Sequence, residues 1–171
     1  AYTSEVENGG TQATPVIYKG RIYLGGGGQP MGSAEPFRVI DAYTMEEIYR
    51  IDEILTKGTP TLTTAYATSE NHQTVYLYVV PYAPVTDPEN PGNYLDSSLY
   101  IIKDSEGQTE PDYEKVSGIG SPEYCSQSVL IDQNGNLIFY NDAKGLYCYG
   151  NEKGGEYAQS DVDRQVARLP E

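Results

Sequence analysis

Tryptophan is absent from this chain of 171 residues, histidine occurs once, at His72, and cysteine occurs twice, at Cys125 and Cys148. Two thiols without histidine partners argue against the usual structural zinc sets. A lone histidine with no Gly-x-Ser-x-Gly element beside it leaves no nucleophile and base to pair, so His72 reads as a solvated turn residue. Basic residues are scarce as well. Eleven Lys and Arg against 25 Asp and Glu give a net charge of −14, which repels phosphate backbones and anionic lipid surfaces and removes nucleic acid from the expected partners. No apolar run approaches the ~20 residues that span a bilayer and no secretory leader is recognisable, so membrane insertion is not expected. The absence of Met before Ala1 fits an excised or processed chain. Helical periodicity is confined to residues 44–55, and a helix of that length is marginal unless it buries a face.

What is present is a series of short runs rich in Val, Ile, Leu and Tyr, each bounded by Gly, Pro, Asn or Asp, which is the mark of short strands between turns. Thr14-Pro15-Val16-Ile17-Tyr18 and Gly20-Arg21-Ile22-Tyr23-Leu24-Gly25 read as two strands joined by a tight turn. Residues 37–42 and 47–51 supply a third and a fourth strand. The pattern restarts at Thr59-Pro60, after an interval close to the roughly 40–50 residues of one four-stranded propeller blade. A second copy takes its strands from residues 59–66, 74–80, 98–103 and 113–116. A third takes them from residues 126–132, 136–140 and 145–150, with Glu156 to Gln159 as its fourth. Asn134-Gly135 reads as a two-residue hairpin turn, because Gly and Asn both tolerate positive φ. The expected fold is therefore all-β, a partial β-propeller of about three four-stranded antiparallel blades, at about residues 10–55, 58–117 and 121–160, within a single domain spanning 1–171.

Residues 14–17, 20–25 and the segment Val39-Ile40-Asp41-Ala42-Tyr43-Thr44 resemble the quinoprotein-type (PQQ-like) β-propeller repeat. The likeness covers about residues 10–150 and implies the blade fold. Enzymes of that group carry Trp on the outer strand of each repeat, where this chain has Tyr49, and stack their quinone between a Trp and a vicinal disulfide. Both are missing here, so the resemblance implies no cofactor and no catalytic residue for this chain.

Closed propellers use four or more blades, so three blades leave two apolar flanks open. The chain is accordingly expected to belong with the remaining blades of a longer propeller or to pair with a second copy, giving a six-bladed ring. Residues 1–8 offer an alternative outer strand for the third blade. On the drawn topology a whole strand, at about 4.8 Å per step, separates Cys125 from Cys148. That places them near the roughly 7 Å limit for a bridge, and both are expected as buried free thiols.

Two long insertions, residues 25–36 and 81–96, fall between the second and third strands of successive blades and should emerge on one face as a rim. The second is stiffened by prolines and carries tyrosines, which suits binding at low entropic cost. The candidate rim residues are Tyr82, Asp87, Asn90, Asn93 and Tyr94, with Gln29 and Met31 from the first loop. Gly25 to Gly28 is not a phosphate cradle, since Gln29-Pro30-Met31 follows instead of Gly-Lys-Ser/Thr. Asp132 to Asn136 is turn chemistry rather than a Ca²⁺ loop, because Gly sits at the wrong offset and Ala143 stands where the bidentate Glu belongs. Neither Glu46-Glu47 nor Asp161 with Asp163 stands out from surface charge. No catalytic, cofactor or metal residues are assigned. The expected function is non-enzymatic binding of a protein or glycan through the rim of a secreted or cell-surface bacterial protein. The alternatives are a carbohydrate-active propeller fragment and a purely structural assembly scaffold.

Overall fold

The computed structural model describes residues 13–26, 36–82, 89–93, 98–116, 125–133, 135–140 and 146–150. The described residues form three antiparallel sheets and no helix. The first sheet runs β1 (Val16–Tyr18), β2 (Arg21–Leu24), β3 (Phe37–Asp41) and β4 (Glu47–Ile51) in chain order. The second runs β5 (Thr61–Thr63), β6 (Val75–Val79), β7 (Leu99–Asp104) and β8 (Asp112–Val116), again in chain order. The third contains β9 (Leu130–Ile131), β10 (Leu137–Tyr140) and β11 (Leu146–Tyr149), with β10 in the middle. Its first strand pairs over fewer residues than the expected 126–132. The fourth strand expected at Glu156 to Gln159 lies outside the described residues.

Turn chemistry places the hairpins. Lys19 and Gly20 both adopt positive φ, at 48° and 77°, and close the β1–β2 turn with Tyr18 opposite Arg21. That is the primed geometry whose twist matches a two-residue hairpin. The β9–β10 connection is a hairpin too, but its turn is longer than the expected two residues. The Gly135 amide donates to the Asp132 carbonyl at 3.0 Å, and the Asp132 amide donates to the Asn136 carbonyl at 3.0 Å. Gly135, at φ 79°, takes the left-handed place that ends such a three-residue loop and that a Cβ would disfavour. The Asp132 carboxylate accepts from the Asn136 amide at 2.8 Å and from its side-chain nitrogen at 2.9 Å. Residues 47–51, within the one stretch with helical periodicity, are a strand because Tyr49 and Ile51 alternate inward. A bulge between Val39 and Ile40 leaves Ile48 as an extra residue opposite them.

The sheets pack in sequence. One apolar cluster joins Tyr23, Phe37, Val39, Tyr49 and Ile51 of the first sheet to Val75, Leu77, Val79, Tyr100 and Ile102 of the second. A second cluster joins Leu99 and Val80 to Cys125, Val129, Leu137 and Phe139 of the third sheet and its approach. Adjacent residues of one strand thus serve opposite clusters: Leu99 faces the third sheet and Tyr100 the first. The middle sheet is covered on both faces. Each fully buried Val, Leu, Ile or Phe contributes roughly 1.5–3 kcal/mol, so these two clusters hold most of the stability.

Cys125 and Cys148 are both thiols, as expected. Cys125 is buried and its thiol donates to the Tyr140 carbonyl at 3.2 Å. Cys148, expected to be buried, is exposed. It shares a cross-strand row with Ile138 and Leu130, the alternate row to that of Leu137, so it points away from the second cluster. His72 is exposed in a turn at φ 55°, and its carbonyl accepts from the Glu106 amide at 2.8 Å.

Candidate functional site

The strand ends that carry the long loops converge on residues 54–58, the connection from the first sheet to the second. The Phe37 amide donates to the Ile54 carbonyl at 2.9 Å, and the Tyr82 amide donates to the Leu55 carbonyl at 2.7 Å. Gly25, at the exit of β2, lies against Thr56, whose methyl would be 3.0 Å from a Cβ at that position. The Cys125 amide then donates to the Tyr82 carbonyl at 2.8 Å, which brings the approach to the third sheet to the same place. Gly58 completes the junction, because its Cα lies so close to the Gln127 carbonyl that any side chain would collide with backbone. The roots of both insertions therefore sit at one end of the molecule.

Lys57 is the charged group of this junction. Its side chain is buried, at 4% exposure, and its ammonium stands 3.6 Å from the centroid of the Tyr82 ring. A cation over a phenol face in a partly dry setting contributes about 1–2 kcal/mol. Tyr82 is thus half-buried, tied by backbone on both sides, with one ring face occupied by Lys57. Among the other candidate rim residues, Asn90 and Asn93 are exposed in a tight turn where the Asn93 amide donates to the Asn90 carbonyl at 3.0 Å. Asp87, Tyr94, Gln29 and Met31 lie outside the described residues.

A buried polar cluster lies between the first two sheets, toward the opposite end of the strands. Asp104, at the end of β7, is 0% exposed. Its carboxylate accepts from Arg21 Nε at 2.6 Å, Arg21 Nη2 at 2.8 Å, the Tyr23 hydroxyl at 2.7 Å and the Tyr49 hydroxyl at 2.8 Å. Arg21 Nη2 also donates to the Gln108 carbonyl at 2.9 Å, and its guanidinium lies 5.8 Å from the centroid of the Tyr49 ring. Burial works against the guanidinium charge, but the hydrogen bond and charge of Asp104 outweigh it and hold Arg21 above its usual pKa. Burial first, then the charge of Asp104, push both phenols well above the ordinary tyrosine range.

With four donors on two oxygens, Asp104 has its acceptor capacity filled and is closed to solvent, so its chemistry is that of a clamp rather than a proton acceptor for a ligand. Tyr49, noted in the sequence for standing where tryptophan was expected, sends its hydroxyl across the sheet boundary into this clamp. Arg21 and Asp104 escaped the sequence reading, although an arginine inside an otherwise apolar strand was the signal for a buried counter-charge.

Neither protein-family models nor curated proteins give a match to this chain. No helix among the described residues is long and apolar enough to cross a membrane.

Proposed function

We propose that the three sheets are successive blades of a quinoprotein-like β-propeller segment whose loop-bearing rim binds a protein or glycan, without catalysis, on a secreted or cell-surface bacterial protein. The observation that carries this reading is the junction at residues 54–58, which anchors the roots of both long insertions at one end of the molecule. The repeat beginning at Thr14-Pro15 and Thr59-Pro60 and the sequential packing of the sheets support the blade assignment. The high acidity and the 17 tyrosines support an exterior setting. Tyr82 serves the rim as the foot of its second loop, held by Lys57 and by its two backbone bonds.

The test keeps Tyr82 and replaces residues 83–97 with a short Gly-Ser turn. The far-UV spectrum and urea midpoint are expected to stay unchanged while retention on a glycan array and capture of protein partners from the source cells are lost. Unchanged capture and retention would rule the rim out.

A further inference from the structure

We propose that Lys57 is a carboxylate-binding subsite at the root of the rim and takes a sugar bearing a single acidic group, a terminal uronic acid. This rests on the rim reading above and names the ligand class. Three cations of the described residues are more than nine-tenths buried: Arg21 at 8% exposure, Arg38 at 5% and Lys57 at 4%. A buried cation ordinarily keeps a carboxylate beside it, because charge without a counter-charge is costly away from water. Arg21 meets Asp104 and Arg38 meets Glu47. Lys57 meets neither these nor any other carboxylate among the described residues, although acidic residues outnumber basic ones 25 to 11 in this chain. Its partner is the face of the Tyr82 ring, 3.6 Å from the ammonium. A ring face offsets part of the charge but accepts none of the three N–H bonds that an ammonium can donate. The nitrogen, though its stem is buried, is not sealed from solvent.

The unmatched ammonium stands where a ligand of the rim would be held. Its neighbour Thr56 lies against Gly25, the root of the first insertion, and Tyr82 is the foot of the second. An anion arriving there gains a cation whose burial has already been met by the fold, so the pairing is pre-organised. The net charge of −14 decides which anion. A field of that sign repels extended polyanions and acidic protein segments, whereas one carboxylate set directly on a desolvated ammonium gains more from the contact than it loses to the distant charges. The half-buried Tyr82 side chain adds an apolar surface beside the point charge. A carboxylated pyranose presents the matching pair, one acidic group and a ring face of C–H bonds.

The experiment is a calorimetric titration of residues 1–171 with methyl glucuronide, its neutral methyl ester, methyl glucoside and N-acetylglutamic acid amide. The glucuronide is expected to bind more than about tenfold tighter than the ester and the glucoside, and the amino-acid probe no better than they do. Amide signals of Lys57, Gly58 and Tyr82 in heteronuclear correlation spectra are expected to shift with the glucuronide. Lys57→Met, which keeps an unbranched stem and removes the charge, is expected to abolish the preference for the acid over the ester. The comparison of acid with ester is made on the unaltered chain, so it stands even if the variant fails to fold. No binding of the glucuronide, equal binding of acid and ester, or binding that leaves the Lys57 and Tyr82 signals unmoved overturns the proposal. Binding of the amino-acid probe as tight as that of the glucuronide overturns the choice of a sugar and points to a protein carboxylate. None of these outcomes touches the rim reading, which fails instead when replacing residues 83–97 leaves capture unchanged.

Discussion

Arg21 donates through Nε and Nη2 to the two carboxylate oxygens of Asp104, 83 residues away, and so joins the second strand of one sheet to the third strand of the next. Removing one partner of such a pair leaves an uncompensated buried charge. Asp104→Ala is expected to cost about 3–5 kcal/mol in urea unfolding, whereas an apolar replacement of both, Arg21→Met with Asp104→Leu, costs less than the single change. A double-mutant cycle measures the coupling. Additive losses would show that the pair contributes nothing of its own.

The tyrosines of this boundary set an alkaline limit. Tyr23 and Tyr49 are held protonated by burial and by Asp104, and burial also pushes Tyr78 and Tyr100 up to about 12. Unfolded phenols ionise near ~10, so above that pH the unfolded chain has released protons that the folded chain retains. Stability is whole below pH ~10 and falls as pH rises toward 12 and beyond. The double variant Tyr23→Phe, Tyr49→Phe is expected to flatten this fall, read as urea midpoints across the alkaline range. It also loses hydrogen bonds to a charged acceptor, each contributing about 1.5–3 kcal/mol at neutral pH.

Lys57 and Tyr82 make a separable pair. Tyr82→Phe keeps a ring beneath the ammonium and is expected to change stability little, while Tyr82→Leu is expected to lose about 1–2 kcal/mol. Equal effects of the two changes on thermal melting would show that the ring face is not the source of the stabilisation.

The two thiols should differ in chemistry. An aromatic disulfide reagent is expected to label Cys148 in the folded chain at once and Cys125 only after unfolding, as judged by mass spectrometry of the labelled peptides. Equal labelling of both would contradict the burial of Cys125.

The strands were legible because their signals are local. Val, Ile and Tyr alternate over a few residues, and Gly20 and Gly135 mark places where the backbone must turn through positive φ. The side taken by Cys148 was not legible, since it depends on which face a neighbouring sheet covers. The clamp was hidden for a related reason. Asp104 ends an ordinary strand, and nothing within ten residues of it shows the arginine and two tyrosines that meet it. Tyr82 was picked out as a rim residue from loop composition, but its backbone ties to Leu55 and Cys125 follow from tertiary packing alone.

Residues 54–58 touch all three sheets: the first through Phe37, the second through Tyr82 and the third through the close passage of Gln127 past Gly58. They act as a keel for the assembly. A methyl group added at Gly58 would force the third sheet's approach outward at a cost of about 1–3 kcal/mol. The sheets are consequently expected to share one fate on heating, melting in a single calorimetric step where a simple string of repeats would shed its units from the ends.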